Sequence, residues 1–586
     1  MSGPLRSGVR RGSTGLVQRT TVRPRGGASR SRRRRPSAVS STRGKESPLR
    51  GSAAIAASKN AAVSSEPTPG VDPASATAPR NRSRCSSRPR TRPSDTSQES
   101  AARRTPAESS TAGPSSRPSH FRASSPSTTA YASPVAALPE VSAARRQLAW
   151  VDPERAYLGL FASADASFWL DSGRDAVEGL SFLGSSDDVL TVGPGGDVSA
   201  ALAAVETERT GDRALGRYGW IAYEAGAPFV ALPPASVDAD APPALALIRG
   251  DPVLEFDHAR RTLHLVSSPE REQEARRLER ALTALGETPA DIGEPRDAEP
   301  SGPAEWRHGP ERYRALIAHC QAAIRAGDAY QLCLTNEVVV EGAFDPVEAY
   351  RRLRRSSPSH HGGLIRVAGL ALVSASPERF LDVTAEGRVA THPIKGTRTR
   401  SADPVVDAEL RAELLASVKE RAENVMIVDL VRNDLARIAA PVSVQVDRLL
   451  EIETYPHVHQ LVSEVSAQLA PAVGPAELLA ATFPAGSMTG APKRRAIELL
   501  REWEAGPRGL YAGAFGRLGG DGSLDLAMTI RTLVLDGARA RIGTGGGITT
   551  LSIPDEEVEE TRLKARALLA ALGVDLLVTA ESSPGH

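Results

Sequence analysis

Past about residue 148 the chain runs in short apolar stretches separated by turn-forming residues, and this spacing predicts a mixture of strands and helices. The stretch 370–381 is an apolar run broken by Pro377 and Glu378. After it, Ala385-Glu386-Gly387 is a turn signal between two strand-like runs at about 379–384 and 388–394, which predicts a hairpin. Closing that hairpin brings Glu378 and Lys395, 17 positions apart, to the mouth of one site. A carboxyl beside an amine suits proton donation and nucleophilic attack, although a surface salt bridge is the commoner fate of such a pair.

From Pro310 to Gly327 the period is helical, with Tyr313, Leu316, Ile317, Cys320 and Ile324 on one face, Pro at the start and Gly just past the end. A strand follows at 327–335, and 268–303 reads as a helix followed by a linker. Aromatic-rich core strands are predicted around 167–172, 180–184 and 217–225. The C-terminal part reads as a β-meander, with strands near 510–518 and 523–534 joined by the turn 519–522. Folding about that turn sets Tyr511 opposite Arg531 on one face. Beyond it, Gly545, Gly546 and Gly547 offer successive backbone N–H groups to a carboxylate, as a nest does.

Charge separates the chain into two parts. Residues 1–140 hold 25 Lys+Arg against 7 Asp+Glu, and the rest hold 47 against 63, so a near-neutral total hides a basic tail on an acidic body. The tail is rich in Arg, Ser, Pro, Ala, Gly and Thr and almost free of aromatics; it cannot bury enough apolar surface to offset its ordering entropy and is expected to be disordered. Its run Arg32 to Arg35 suits nucleic acid or a membrane surface by charge alone, but no binding module accompanies it. Being Arg/Ser-rich and acid-poor, the tail also has the look of a transit peptide, or of a mis-assigned start. Order is expected in two regions, 148–290 and 304–575. Three cysteines, Cys85, Cys320 and Cys333, make no disulfide framework and no metal pair, which favours a reducing cytoplasm. No apolar run is long enough to span a membrane, and the N-terminus lacks the core of a secretory signal.

Two acidic pairs stand at helical spacing: Glu420 with Glu423, and Glu557 with Glu560 in the helix opened by Pro554. Alone, each pair is a solvated helix face. The segment 483–493, Phe-Pro-Ala-Gly-Ser-Met-Thr-Gly-Ala-Pro-Lys, has small residues that let backbone approach a ligand, and Pro492 opens a helix whose N-terminus suits an anion.

Taken together, these motifs resemble the chorismate-utilising enzymes, the family of anthranilate synthase component I, aminodeoxychorismate synthase component I and the isochorismate and salicylate synthases. The resemblance runs from about Trp150 to Leu572 and implies an α/β fold of two packed β-sheets with helices outside. Pro393-Ile394-Lys395-Gly396-Thr397 points to the aminodeoxychorismate branch, since anthranilate synthases usually carry Ala where Lys395 stands. The resemblance implies that Lys395 attacks chorismate, that Glu378 is the general acid, and that Gly396 and Thr397 line the substrate site. It implies that Tyr511, Arg531 and Gly545 to Gly547 hold the enolpyruvyl carboxylate, and that Glu420, Glu423, Glu557 and Glu560 hold Mg²⁺ against the ring carboxylate. Where the water-using members have a Lys base this chain has Gln331, which argues against water as nucleophile and is expected among the substrate-binding residues. Arg398 and Arg400 are expected to lower the Lys395 pKa. His459 and Gln460 depart from the family pattern and stay outside the catalytic set. Trp169-Leu170-Asp171-Ser172 stands where feedback-inhibited members bind tryptophan through Leu-Leu-Glu-Ser, so that feedback is not expected. No cysteine lies in a Gly-x-Cys-x-Gly elbow, so a separate glutamine amidotransferase subunit is expected to supply ammonia. The rivals are anthranilate synthase component I and, more remotely, a non-catalytic scaffold using the basic tail.

Overall fold

A computed structural model of the protein describes residues 18–21, 143–234, 241–287, 292–298 and 302–574. The tail expected to be disordered lies outside the described residues, except that Gln18–Thr21 pairs antiparallel with Asp188–Val192 at one sheet edge. Two large antiparallel sheets make up the rest, with 11 and 12 strands. Each draws strands from both the 148–290 and the 304–575 regions: Gly216–Ile221 pairs with Ala514–Gly519 in one sheet, and Ser167–Asp171 with His361–Val367 in the other.

The core has three layers. Between the sheets, Phe168, Phe182, Ile365 and Val534 meet Tyr218, Trp220 and Phe515, and Phe168 stacks on Tyr218 with ring centroids 3.9 Å apart. Outside the first sheet pack the helices Val198–Glu206, Val418–Ala436 and Pro475–Thr482. Outside the second pack Pro153–Leu160, Glu272–Glu287, Pro346–Ser356 and Pro554–Ala571. This is the expected arrangement of two packed sheets with helices outside. Among the described residues no helix is long and apolar enough to cross a membrane.

The predicted helix is Pro310–Ala326, ending at Gly327 with φ 85°, and its buried face carries Tyr313, Leu316, Ile317 and Cys320. The predicted hairpin forms as Arg379–Val383 and Arg388–Thr391, with Gly387 at φ 81° in the turn. The C-terminal meander does not form as one sheet. Ala514–Gly519 and Leu524–Met528 are a hairpin of the first sheet, whereas Thr532–Leu535 and Arg539–Ile548 are a hairpin of the second. The chain changes sheets at 529–531, where Arg531 takes φ 51°. Residues 510–513 lie ahead of the strand rather than in it.

Candidate active site

The site forms at a seam where two neighbouring strand paths cross from one sheet to the other. One path leaves the second sheet after Leu370–Ser376 and enters the first at Arg379–Val383, and Glu378 lies on that crossing. The other leaves the first sheet after Leu524–Met528 and enters the second at Thr532–Leu535, and Arg531 lies on that one. Backbone bonds tie them together: Met528 N–H donates to Glu378 O at 3.0 Å, and Ala375 N–H to Arg531 O at 3.1 Å.

Lys395 reaches the seam from Ile394–Thr399, which pairs with Val458–Gln468 through a register shift between Ile394 and Thr397. Such a bulge re-aims a side chain, and here Gly396 takes φ 85° within it. Lys395 Nζ donates to Ser487 O at 3.4 Å, while the Ser487 side chain lies near enough to the Glu378 carboxyl to lower its pKa. The acid and amine therefore meet across Ser487, and no ion pair within 4 Å joins them directly. Burial pushes the Glu378 carboxyl up; Lys395, Ser487 and Lys564 oppose this only in part. For Lys395, burial favours the neutral amine, but Glu423, Cys333, Glu378 and Glu560 outweigh it and hold the ammonium above its ordinary value.

That result corrects the expectation that Arg398 and Arg400 lower the Lys395 pKa. Arg398 is paired with Glu413 at 3.0 Å and Arg400 with Asp407 at 2.8 Å. With their charges matched locally, they leave the carboxylates nearer the amine in control.

The two acidic pairs come from facing helices. Lys419 Nζ bridges to Glu557 at 2.7 Å, and Lys564 Nζ binds Glu560 at 2.6 Å. Glu420 leans toward Arg398 at 3.7 Å. Glu423 is buried, one of its oxygens has no partner, and its carboxyl is pushed up to about 7 by burial despite Lys395 and Lys419. Among the described residues no three His, Cys, Asp or Glu side chains are gathered as a ready metal cage.

Beneath these acids run the three glycines, and here the nest expectation is corrected. Gly545, Gly546 and Gly547 lie inside the strand Arg539–Ile548, paired with Thr335, Leu334 and Cys333. A nest alternates right- and left-handed residues; a ladder strand is extended throughout. The glycines are needed for room instead. A Cβ on Gly546 would sit 2.9 Å from Glu557 Oε2, and one on Gly547 would sit 2.5 Å from Gln331 Nε2 and 3.2 Å from Glu423 Oε2. Thr532–Leu535 pairs with this strand only at 540–542, so beyond that point it has no ladder partner on that side among the described residues.

Tyr511 lies against Gly543 and is near enough to Arg531 for each to influence the other's charge. The hairpin thus does bring them together, although neither sits in a paired strand. Among the described residues Arg531 has no ion pair, and burial pushes its guanidinium pKa down. Gln331 is buried with its Oε1 unpartnered. Thr397 stands apart, exposed on its strand. His459 is also elsewhere, bonded to Thr454 at 2.9 Å and Asp407 at 3.1 Å. Sequence reasoning missed Ser487, Lys419, Lys564 and Cys333 as neighbours of the site. Ser487 lay within the flagged segment 483–493; Lys493 of that segment is tied inward, to Asp434 at 2.7 Å and Thr482 O at 2.8 Å.

Two layered antiparallel sheets thus bring an acid, an amine, an arginine without an ion pair and two acidic helix faces to one seam. The chorismate binding enzyme family matches residues 147–570, and the chain belongs to that family. Within it, the chain is 40% identical over 463 residues to an aminodeoxychorismate synthase of Streptomyces griseus, covering 72% of this chain and 63% of that protein. It therefore spans a little under two thirds of that relative. It is also 39% identical over 376 residues to anthranilate synthase component 1 of Streptomyces coelicolor, covering 61% of this chain and 72% of that one. Among solved structures, anthranilate synthase component I from Streptococcus pneumoniae superposes with TM-score 0.57 at 28% identity, over 73% of this chain and 92% of that one.

Proposed function

We propose that this chain is an aminodeoxychorismate synthase component I, which aminates chorismate with ammonia to give 4-amino-4-deoxychorismate and water. The observation that carries the reading is Lys395, a half-buried amine one serine away from a buried acid whose carboxyl pKa is pushed up by burial. Glu378 gives that proton to the C4 hydroxyl, which leaves as water. Lys395 attacks C2, and ammonia then adds at C4 and expels the lysine, so the nitrogen in the product comes from ammonia. The amine must be neutral to attack, so the carboxylates that hold its proton, Glu423 foremost, must be compensated first. Arg531 and Tyr511 are assigned to the enolpyruvyl carboxylate, which supplies the anion that Arg531 lacks. Gln331 and the open backbone of Gly545 to Gly547 complete the floor under the substrate.

The acidic faces fit Mg²⁺: they offer hard carboxylate oxygens, and the unpartnered buried oxygen of Glu423 is a donor awaiting a cation. Glu420, Glu423, Glu557 and Glu560 would hold it, with Lys419 and Lys564 giving up Glu557 and Glu560. Bound there, Mg²⁺ would neutralise the acids and attract the ring carboxylate.

Ammonia is assigned to a partner amidotransferase, and the product to the route to 4-aminobenzoate and folate. The buried free thiols of Cys320 and Cys333 are in keeping with the cytoplasm. Purified protein given chorismate, Mg²⁺ and ammonium should form 4-amino-4-deoxychorismate, identified by mass and chromatography, and should not use glutamine. Anthranilate as the main product would overturn the branch, and glutamine-driven turnover by the pure chain would overturn the separate subunit.

A further inference from the structure

Arg508 lies outside the reacting groups yet is buried, and it is bonded to both segments that frame them. Its Nη1 donates to Met488 O at 2.6 Å and its Nη2 to Cys333 O at 2.9 Å. The charge is matched by Glu504, which accepts from Nε at 2.8 Å and from Nη2 at 2.7 Å. Glu504 in turn accepts Thr335 N–H at 2.9 Å, and Cys333 N–H donates to Thr489 O at 2.8 Å. The ring of Tyr223 covers the guanidinium at 4.4 Å. One planar fork thus fixes the strand Gln331–Glu341 against the loop 487–489.

That loop matters because of the residue that opens it. Ser487 accepts a hydrogen bond from Lys395 Nζ through its carbonyl, and Ser487 and Glu378 line the same small cavity. The peptide joining Ser487 to Met488 holds the shared partner of acid and amine, and Arg508 holds the next carbonyl along. We propose that Arg508 is a positioning residue, fixing the loop through which Ser487 sets Glu378 and Lys395 relative to each other. The inference rests on the reading of those two as the reacting pair.

A cavity of about 260 Å³, lined by Tyr223, Glu224, Ile497, Glu504, Pro507 and Arg508, reaches the Arg508 side chain, and Lys395 is not among its lining residues. It gives a direct test. In Arg508→Ala a free guanidinium ion has a way in to Glu504 and the two carbonyls, whereas urea has the shape but not the charge. We expect kcat for chorismate amination to fall about a hundredfold, the scale of a misplaced reacting pair, with KM little changed because Arg531 and Tyr511 are untouched. Millimolar guanidinium chloride, well below denaturing levels, should restore kcat, and urea should not. Arg508→Lys, which keeps the charge but reaches one carbonyl at a time, should fold and fall between the two; it serves if the alanine variant does not fold. Unchanged kcat in the variants, or guanidinium restoring the thermal melt but not kcat, would assign Arg508 to stability alone and overturn the proposal. Amide hydrogen exchange gives an arm independent of turnover. Exchange at 487–490 should rise in Arg508→Ala and fall back with guanidinium, and an unmoved loop would refute the clamp. Wild-type protein inert toward chorismate would sink the functional reading, while the exchange result still decides this one.

Discussion

Replacing Glu423 with Gln should stabilise the protein above neutral pH while removing its activity. The carboxyl is buried, one oxygen has no partner, and its pKa stands at about 7 instead of the ordinary 4.5. Above pH 7 the folded state carries a carboxylate it would rather protonate, and that difference amounts to about 3 kcal/mol lost from stability. Below about pH 4.5 the group is protonated in both folded and unfolded chains and the loss vanishes. A raised carboxyl pKa therefore drains stability as pH climbs from 4.5 to about 7, and the neutral amide escapes this. For a folded unit of this size 3 kcal/mol corresponds to roughly 4 °C in Tm. Thermal melts of wild type and E423Q in chelator-treated buffer should coincide near pH 4.5 and separate by about that much near pH 8.5, with the variant higher. Added Mg²⁺ should raise the wild type and narrow the gap. Turnover and Mg²⁺ affinity should drop by orders of magnitude in the same variant. A Tm difference independent of pH, or a variant less stable at pH 8.5, would show that Glu423 carries no such penalty.

Other outcomes follow from the same geometry. Lys395→Ala leaves Glu378 in place but removes the proposed nucleophile; it should make far less 4-amino-4-deoxychorismate, and quenched wild type should show a chorismate-derived adduct on Lys395 by intact-mass and peptide analysis. Arg531→Met should raise the chorismate KM about tenfold to a hundredfold, the worth of a hydrogen bond to a charged group, as read by steady-state kinetics. Because Arg531 has no ion pair to lose among the described residues, the melting temperature of that variant should not fall. A chain starting at Ala143 should keep its ammonia-dependent turnover and cooperative melt, since every group at the seam lies beyond that point.

What the sequence made legible is what local pattern controls. The hairpin turn at 385–387, the helix with Pro310 at its start and Gly327 after its end, and the acidic pairs three residues apart all depend on near neighbours. The change of sheet at 529–531 was not legible. Alternation continues on both sides of it, and the break is made by Arg531 at positive φ rather than by a glycine or proline. The glycine triplet was misread for a related reason: a Gly run marks close approach or unusual backbone equally well, and only the strand opposite decides between them. The arginines near Lys395 failed because charge partners are chosen in space. Arg398 and Arg400 found acids in the following helix, whereas Lys419 found Glu557, 138 residues away.

Three polar groups at the seam are costly as they stand, and their signs differ. Arg531 is a half-buried cation with no ion pair among the described residues, Glu423 is a buried acid with an unpartnered oxygen, and Gln331 keeps an unpartnered carbonyl oxygen. A lone defect of this kind disfavours folding by a few kcal/mol and is readily removed by mutation. Arg531 and Glu423 do not pair with each other, so relieving the two charged groups takes an anion and a cation together. A monocarboxylate answers Arg531 and leaves Glu423 as it was; a cation alone does the reverse. A dicarboxylate with one end on Arg531 and the other held through a cation on the acidic helices meets both demands. That pattern favours a dianion bound together with a divalent ion, and it predicts that chorismate and Mg²⁺ tighten each other's binding. Calorimetric titration of chorismate with and without Mg²⁺ measures the coupling, and by linkage the same factor must appear when Mg²⁺ is titrated with and without chorismate. Independent binding of the two would break the link between the acidic helices and the arginine, and with it the assignment of both ends of the site to one molecule.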